Sequence, residues 1–360
     1  MLYYLFIYAS SCFFFALGIK GVMRNKLSEK IVTTILLTIS ALILVLFSSF
    51  RDVSVGTDTI VYQRFFLNLK TEDFLLDIDY FNEFGFVFIR YLSKVIIDNF
   101  HFNLFVISSI VVLLSFLSII RLSESKIYSL VVFFLLGFYV FHFNAERQAI
   151  TVAMVLFSLR YIVNREFSKF LVVIILGVTI HKSIVLCIPL YFLYGYKFTL
   201  SRFTLFAMLI SGMLLLIVPF VEFASNSIDS RYGEFYIEQE SSGGLYQSIF
   251  ILLLFIFCFI HRVLSEKNDY FYDFLLYMLL IGCLINVYSV IMKLDPNGVA
   301  RSSIYYTQSL IFLLPSVLIS IKGRAGKILN IIFITGFLFY SIFSLARFSN
   351  LVPYTINGIL

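Results

Sequence analysis

Residues 31–62 read IVTTILLTISALILVLFSSFRDVSVGTDTIVY. Residues 31–49 carry no charge, and 50–62 then bring Arg51, Asp52, Asp58 and Tyr62 in quick succession. An apolar run of about 20 residues is the length that crosses a bilayer core as a helix. Polar groups are costly beside lipid, so a cluster of them at the end of such a run marks a site more than a packing element.

The run is one of many. The chain is 61% hydrophobic and 13% charged over 360 residues, with a mean hydropathy of +0.97, where a soluble chain carries roughly 25% charged residues. The expected fold is all-α: a polytopic helical bundle forming a single membrane domain over 1–360, with outer loops at 50–82 and 222–245. Predicted spans are 2–19, 31–49, 103–120, 127–143, 147–163, 168–180, 183–195, 201–221, 246–262, 270–291, 302–320 and 327–346. That makes twelve, within a range of 11–14. Leu2–Ile19 has no basic residue before it and no small-residue cleavage site after it, so it reads as a retained span. The four cysteines (Cys12, Cys187, Cys258, Cys283) lie inside apolar segments without metal-ligand spacing and read as packing thiols. The net charge of +6 does not point to nucleic acid, because basic residues of membrane proteins gather in cytoplasmic loops.

That rule also orients the chain. With both termini outside, the loops holding Lys20–Lys30, Arg121/Lys126, Arg160–Lys169, Lys197/Arg202, Arg262/Lys267 and Lys322–Lys327 all become cytoplasmic and contain 16 of the 27 Lys and Arg. Asn82–Phe100 does not fit this alternation. It is apolar but carries Arg90 and Lys94 four apart on one helical face, and reads as an amphipathic or re-entrant helix on the outer side, with a thirteenth span as the alternative. Segments 168–180 and 183–195 are short for a bilayer, so His181-Lys182 between them is expected in a cavity below the outer surface.

The topology gathers five polar groups on the outer face: Arg51 to Tyr62, the run Asn144-Ala-Glu146-Arg147-Gln148, His181-Lys182, Ser230-Arg231-Tyr232, and Arg301 with Tyr305 and Tyr306. A single arginine at a helix end is ordinarily a snorkelling cation. Several on one side suit a diphosphate, because guanidinium forks bind phosphate oxygens bidentately, and Arg147 at a helix start adds a favourable dipole for an anion. Lys182 would neutralise a carboxylate or touch a phosphate. Asp58 reads equally as an Asx-turn or helix cap and as a catalytic carboxylate. Glu146 reads as an ion pair with Arg147 or as a base. His181 reads as a buried structural histidine or as a proton acceptor, a task for which histidine is suited near neutrality. Among the three, His181 ranks first as base, Asp58 second and Glu146 third. The outer tyrosines, Tyr62, Tyr232 and Tyr305 among them, fit either an interfacial belt or platforms for sugar rings. No P-loop, zinc motif, nucleophile elbow or dinucleotide fingerprint is present, and neither cofactor nor metal is expected.

The string Arg51-Asp-Val-Ser-Val-Gly56-Thr57-Asp58-Thr-Ile-Val-Tyr62 resembles the signature of EpsG-like proteins, relatives of the Wzy O-antigen and exopolysaccharide polymerases. Glu83-Phe-Gly85-Phe looks like the Glu-x-Gly-aromatic motif that follows it in that family. Arg147-Gln148 resembles its Arg-Gln helix, and His181-Lys182-Ser183 its His-Lys/Thr-Ser motif. Arg231-Tyr232 and Arg301 fit looser basic positions. Glu146 stands where a hydrophobic residue is more usual, and the loop at 222–245 is short. The resemblance implies a bacterial cytoplasmic-membrane glycosyltransferase with its active face outward. Such an enzyme moves a growing capsule or exopolysaccharide chain from undecaprenyl diphosphate to the terminal sugar of another lipid-linked repeat unit. Glu83 would join the substrate-binding set, and the implied partners are the lipid-linked oligosaccharide, membrane lipid, and a flippase and chain-length regulator of the same pathway. A flippase or transporter of lipid-linked oligosaccharide and a glycan ligase are the alternatives that the same residues allow.

Overall fold

The computed structural model describes residues 1–21, 27–70, 83–216, 244–265, 269–347 and 350–357. Among these the regular structure is helical, with one isolated antiparallel bridge between Arg51 and Ile356. Among the described residues seven helices are long and apolar enough to cross a membrane: Leu2–Lys20, Ser28–Ser49, Phe100–Leu122, Lys126–Phe143, Leu245–Leu264, Tyr270–Ile291 and Gly323–Arg347. A pair bent by 44°, Gly298–Thr307 with Leu310–Ser320, makes an eighth when counted as one span. The chain is therefore a multi-pass helical membrane protein.

The other four of the twelve predicted spans correspond to helices that are shorter or more charged among the described residues. Segment 147–163 forms a helix whose ends carry Glu146, Arg147 and Arg160. Segment 168–180 gives only Phe167–Ile180. Segment 183–195 breaks into a 3-10 stretch, Lys182–Cys187, and the short helix Leu190–Leu193 on either side of Pro189, since proline cannot supply the helical N–H. Segment 201–221 gives Leu200–Leu215, and its residues 217–221 lie outside the described residues.

The chain divides into two compact units, Met1–Ile188 with Leu318–Leu360, and Pro189–Val317. The first contains α1 (Leu2–Gly21), α2 (Leu27–Ser49), α3 (Thr59–Leu67), α4 (Phe84–Ile96), α5 (Phe100–Leu122), α6 (Lys126–Leu135), α7 (Glu146–Val163) and α8 (Phe167–Ile180). Helices α1 and α2 pair through Ser11 and Ser40, whose hydroxyls lie 2.9 Å apart while Ser40 Oγ donates to the Ser11 carbonyl at 2.8 Å. Small polar residues of this kind let helices approach closely where lipid gives no hydrophobic drive. Under the polar loops, Tyr62, Phe66, Phe86, Phe100, Leu104 and Ile150 belong to one buried apolar cluster joining α3, α4, α5 and α7.

Helix α4 occupies the segment expected to be amphipathic, and its polar face is the buried one. Phe86, Arg90 and Ser93 point inward, whereas Phe84, Phe88, Leu92, Val95 and Ile96 are exposed. Lys94, on the same inward face, donates to the carbonyls of Phe66 and Leu67 at 3.0 Å each. It thereby satisfies the open C-terminal carbonyls of α3.

In the second unit, α9 (Leu190–Leu193), α10 (Leu200–Leu215), α11 (Leu245–Leu264), α12 (Tyr270–Ile291), α13 (Ile304–Thr307) and α14 (Leu310–Ser320) surround a core built on α12. Buried Arg262 pairs with Asp273, and Asp273 Oδ2 also accepts from the Phe198 amide at 2.9 Å. The last helix, α15 (Gly323–Arg347), belongs to the first unit.

Candidate functional site

The loop after α2 is shaped by its own polar residues. Asp52 Oδ1 accepts from the Ser54 amide at 2.9 Å, an Asx turn. Gly56 has φ +103, and a Cβ there would lie 2.6 Å from Asn144 Oδ1 and 3.0 Å from the Phe143 carbonyl. Only glycine accepts both the angle and the approach. The approach lets Asn144 Oδ1 accept from the Thr57 amide at 2.8 Å, which docks the loop onto the residues leading into α7. Asp58 occupies the cap position of α3, but its side chain makes no cap bond; its Oδ1 accepts from the Thr57 hydroxyl at 3.0 Å. The capping alternative for Asp58 is thus corrected in detail: Asp52 makes the Asx turn.

Beneath the loop, Arg51 is 1% exposed. Its Nη1 donates to the Ser48 carbonyl at 2.7 Å and to Ser48 Oγ at 2.9 Å, and its guanidinium lies 4.5 Å from the Phe143 ring centroid. His142 extends this network. Its Nδ1 lies 2.5 Å from the Tyr139 carbonyl, so Nδ1 carries the proton, and Nε2 accepts from the Ser48 hydroxyl at 2.8 Å.

Glu146 is fully buried. Its Oε1 lies 3.8 Å from Arg51 Nη2 and its Oε2 3.9 Å from Arg90 Nη2. Both carboxylate oxygens and the Nε and Nη2 atoms of both arginines lack hydrogen-bond partners among the described residues. Arg90 is also flanked by the rings of Phe86 at 4.3 Å and Tyr62 at 5.2 Å. The expected ion pair between Glu146 and Arg147 does not form, because successive helical residues point about 100° apart at 3.6 residues per turn. Glu146 turns inward to Arg51 and Arg90, and Arg147 turns to Glu83.

Glu83 is where the site converges. Its Oε2 accepts from Arg147 Nη1 at 2.5 Å, and its Oε1 lies 2.5 Å from His181 Nδ1. The Lys182 amide also donates to Oε1, at 3.4 Å. An ionised carboxylate only accepts, so His181 Nδ1 carries a proton, and in the neutral ring this tautomer leaves the lone pair on Nε2. Burial alone pushes the Glu83 carboxyl up, but His181 and Arg147 together outweigh it and hold it below the usual carboxylate range. Glu83 has φ 40, a left-handed conformation that costs a non-glycine residue energy and recurs at functional sites. Its side chain is 12% exposed, His181 26% and Arg147 47%, so the cluster opens toward the surface at Arg147. The Lys182 residue is exposed, Tyr62 is buried next to Arg147, and Gln148 is buried on α7.

The structure thus brings together Arg51, Asp58, Tyr62, Glu83, Glu146, Arg147, Gln148, His181 and Lys182 within the first unit. Arg301 is half-buried and Tyr305 fully buried in the second unit. Arg231 and Tyr232 lie outside the described residues. Arg90 and His142 are additions that sequence reasoning did not place here. The signal for Arg90 was its four-residue spacing from Lys94, read as a wet face when it is the inner one. Among the described residues no group of three or more His, Cys, Asp or Glu gathers as metal ligands.

A multi-pass helical bundle that holds arginine, carboxylate and imidazole side by side defines a membrane protein with a built polar site. The EpsG family model matches residues 34–356, and the chain belongs to that family, a group of polysaccharide polymerase-like membrane proteins. No curated protein and no solved structure matches it.

Proposed function

We propose that this protein is a polysaccharide polymerase that transfers a growing glycan from undecaprenyl diphosphate to the terminal sugar of another lipid-linked repeat unit, on the outer face of a bacterial cytoplasmic membrane. One observation carries the reading: a single carboxylate, Glu83, holds a cation on one oxygen and an imidazole on the other. In the proposed reaction the acceptor hydroxyl oxygen attacks the anomeric carbon of the donor sugar. The bond from that carbon to the diphosphate oxygen breaks, and the electron pair leaves with undecaprenyl diphosphate. The hydroxyl proton passes to His181 Nε2, and the imidazolium formed is stabilised by Glu83. Arg147, with Lys182 beside it, stabilises charge on the departing diphosphate, a preorganised electrostatic role. Arg51, Arg90 and Glu146 hold the start of α7 from below.

A transporter of lipid-linked glycan could use the same cations and imidazole, so the assay for transfer separates the two readings. Purified protein in liposomes, supplied with a defined lipid-diphosphate repeat unit, should produce a ladder of products. His181→Gln should still bind the donor while ladder formation falls by about 10²–10⁴-fold, the usual contribution of a general base. Transfer of a finished glycan to another kind of acceptor would make the protein a ligase. Movement of the donor across the membrane without transfer would make it a flippase.

A further inference from the structure

The other end of the same helices holds a cluster that this chemistry does not use. Helix α7 runs from Glu146 to Val163, so at 1.5 Å per residue its two ends are about 27 Å apart. At the far end lies a cavity of about 520 Å³ lined by Arg121, Arg160, Tyr161, Asn164, Glu166 and Lys169. Arg121 comes from the last turn of α5, Arg160 from the last turn of α7, and Lys169 from the first turn of α8.

A lone basic residue at a helix end complements the dipole and the membrane edge and needs no ligand. This cluster has more structure than that. The Arg160 guanidinium lies 3.9 Å from the Phe157 ring centroid and 4.4 Å from that of Tyr161, and Nη2 donates to the Tyr161 hydroxyl. Stacking of this kind fixes a guanidinium plane in advance. Its Nε is buried and has no partner among the described residues. Lys169 is paired with Glu166 at 2.7 Å, yet its side chain is 62% exposed. Three cations from three helices thus face one acid around one cavity.

We propose that this cavity is a binding site for a phosphate-bearing anion, with Arg121 and Arg160 as the principal contacts and Glu166 as a competitor that occupies Lys169 until the anion arrives. Fork-shaped donors match phosphate oxygens, and the cavity lies where a span ends, so the phosphate comes either from an anionic lipid headgroup or from a free phosphate. The site is independent of the glycan reading. The test is thermal unfolding of the purified full chain in neutral detergent, titrated with phosphatidylglycerol, with phosphatidylcholine, and with inorganic phosphate against chloride at matched ionic strength. A saturable rise in Tm with phosphatidylglycerol alone assigns the site to lipid, and an equal rise with inorganic phosphate assigns it to a soluble phosphate. In either case Arg121→Gln/Arg160→Gln should abolish the rise. Glu166→Gln, which frees Lys169, should lower the half-saturating concentration several-fold. That gain keeps the test valid if the double variant is itself poorly folded. No rise with either anion, a rise that survives the double variant, or no gain in Glu166→Gln overturns the proposal.

Discussion

Gly85 and Thr179 meet where α4 crosses the end of α8: a Cβ on Gly85 would collide with Thr179 Oγ1 and stand 3.0 Å from Thr179 Cβ. Glu83 lies two residues before that contact and His181 two residues after it, so the close crossing is what places the carboxylate against the imidazole. Gly85→Ala should push the helices apart, at about 1–3 kcal/mol for overpacking, and should separate Glu83 from His181. Polymer ladders should shorten markedly in a chain that still inserts. Gly85→Ala/Thr179→Ala, which removes the hydroxyl, should recover part of the loss. Full ladders from Gly85→Ala would remove the crossing from any role in activity.

Glu83→Gln keeps the size of the side chain and discards its charge. The amide has one acceptor oxygen where the carboxylate had two, so His181 and Arg147 compete for it and Arg147 loses its counter-charge. The rate of transfer should fall by about 10²-fold or more, with donor binding retained or tightened because Arg147 is released. Rates and donor affinity measured together on this variant decide the point: a raised Kd with an unchanged rate would make Glu83 a simple binding residue.

The pH dependence has a definite sign. A carboxyl held below its ordinary range stabilises the fold while it is ionised. Its contribution is therefore fully present above that range and is lost as pH falls through the depressed folded value. The Tm difference between wild type and Glu83→Gln should stay level above the ordinary glutamate pKa of about 4.3 and close as pH falls below it. A difference that widens on acidification would contradict the pairing with His181 and Arg147.

Arg147→Lys and Arg51→Lys should separate. At Arg147, half exposed and paired with Glu83 through Nη1, lysine keeps the charge and loses the planar guanidinium, so activity should drop while Tm changes little. At Arg51, fully buried against Ser48, Phe143 and Glu146, lysine cannot serve all three, so stability and activity should fall together. Melting curves beside ladder assays on both variants make the comparison.

Removing the Glu146 carboxylate leaves two buried arginines without their counter-charge. Breaking a buried ion pair by deleting one partner costs about 3–5 kcal/mol, whereas replacing the whole cluster by apolar groups is far milder. Glu146→Leu should therefore be poorly folded, and Glu146→Leu/Arg90→Met should regain stability. Equal stability in the single and double variants would show that Arg90 and Glu146 are not coupled.

Much of this was legible in the sequence. Long uncharged runs announce membrane helices, and the order Arg51–Asp58, Glu83–Gly85, Arg147–Gln148, His181–Lys182 announces the parts of the site. What could not be read was direction. Arg90 and Lys94 look like the wet face of α4 because water is the usual partner of charge, yet here Glu146 and the carbonyls of α3 take that place. Glu146 next to Arg147 looks like a local pair, but neighbours on a helix diverge, and each finds its partner from another element. Hydropathy alone sees continuity across Pro189, which divides 183–195 into two short pieces, and it passes over the charges at the ends of α7.

The antiparallel bridge at Arg51 also sets an order of events. Residues 350–357 clasp the polar loop: the Asp52 amide donates to the Thr355 carbonyl at 2.9 Å, the Gly56 amide to the Asn350 carbonyl at 2.9 Å, and the Asn357 amide to the Phe50 carbonyl at 3.0 Å. Asn357 Nδ2 further donates to His101 Nε2 at 2.6 Å, and the Tyr354 hydroxyl to the Phe47 carbonyl at 2.5 Å. These partners leave the ribosome some 300 residues after the loop they hold. A nascent chain can thread its helices into the bilayer one after another while these backbone groups of the loop still await their partners. The loop acquires its full set of bonds only once residues 350–357 have been made, so a ribosome stalled before that point leaves inserted helices without a closed loop.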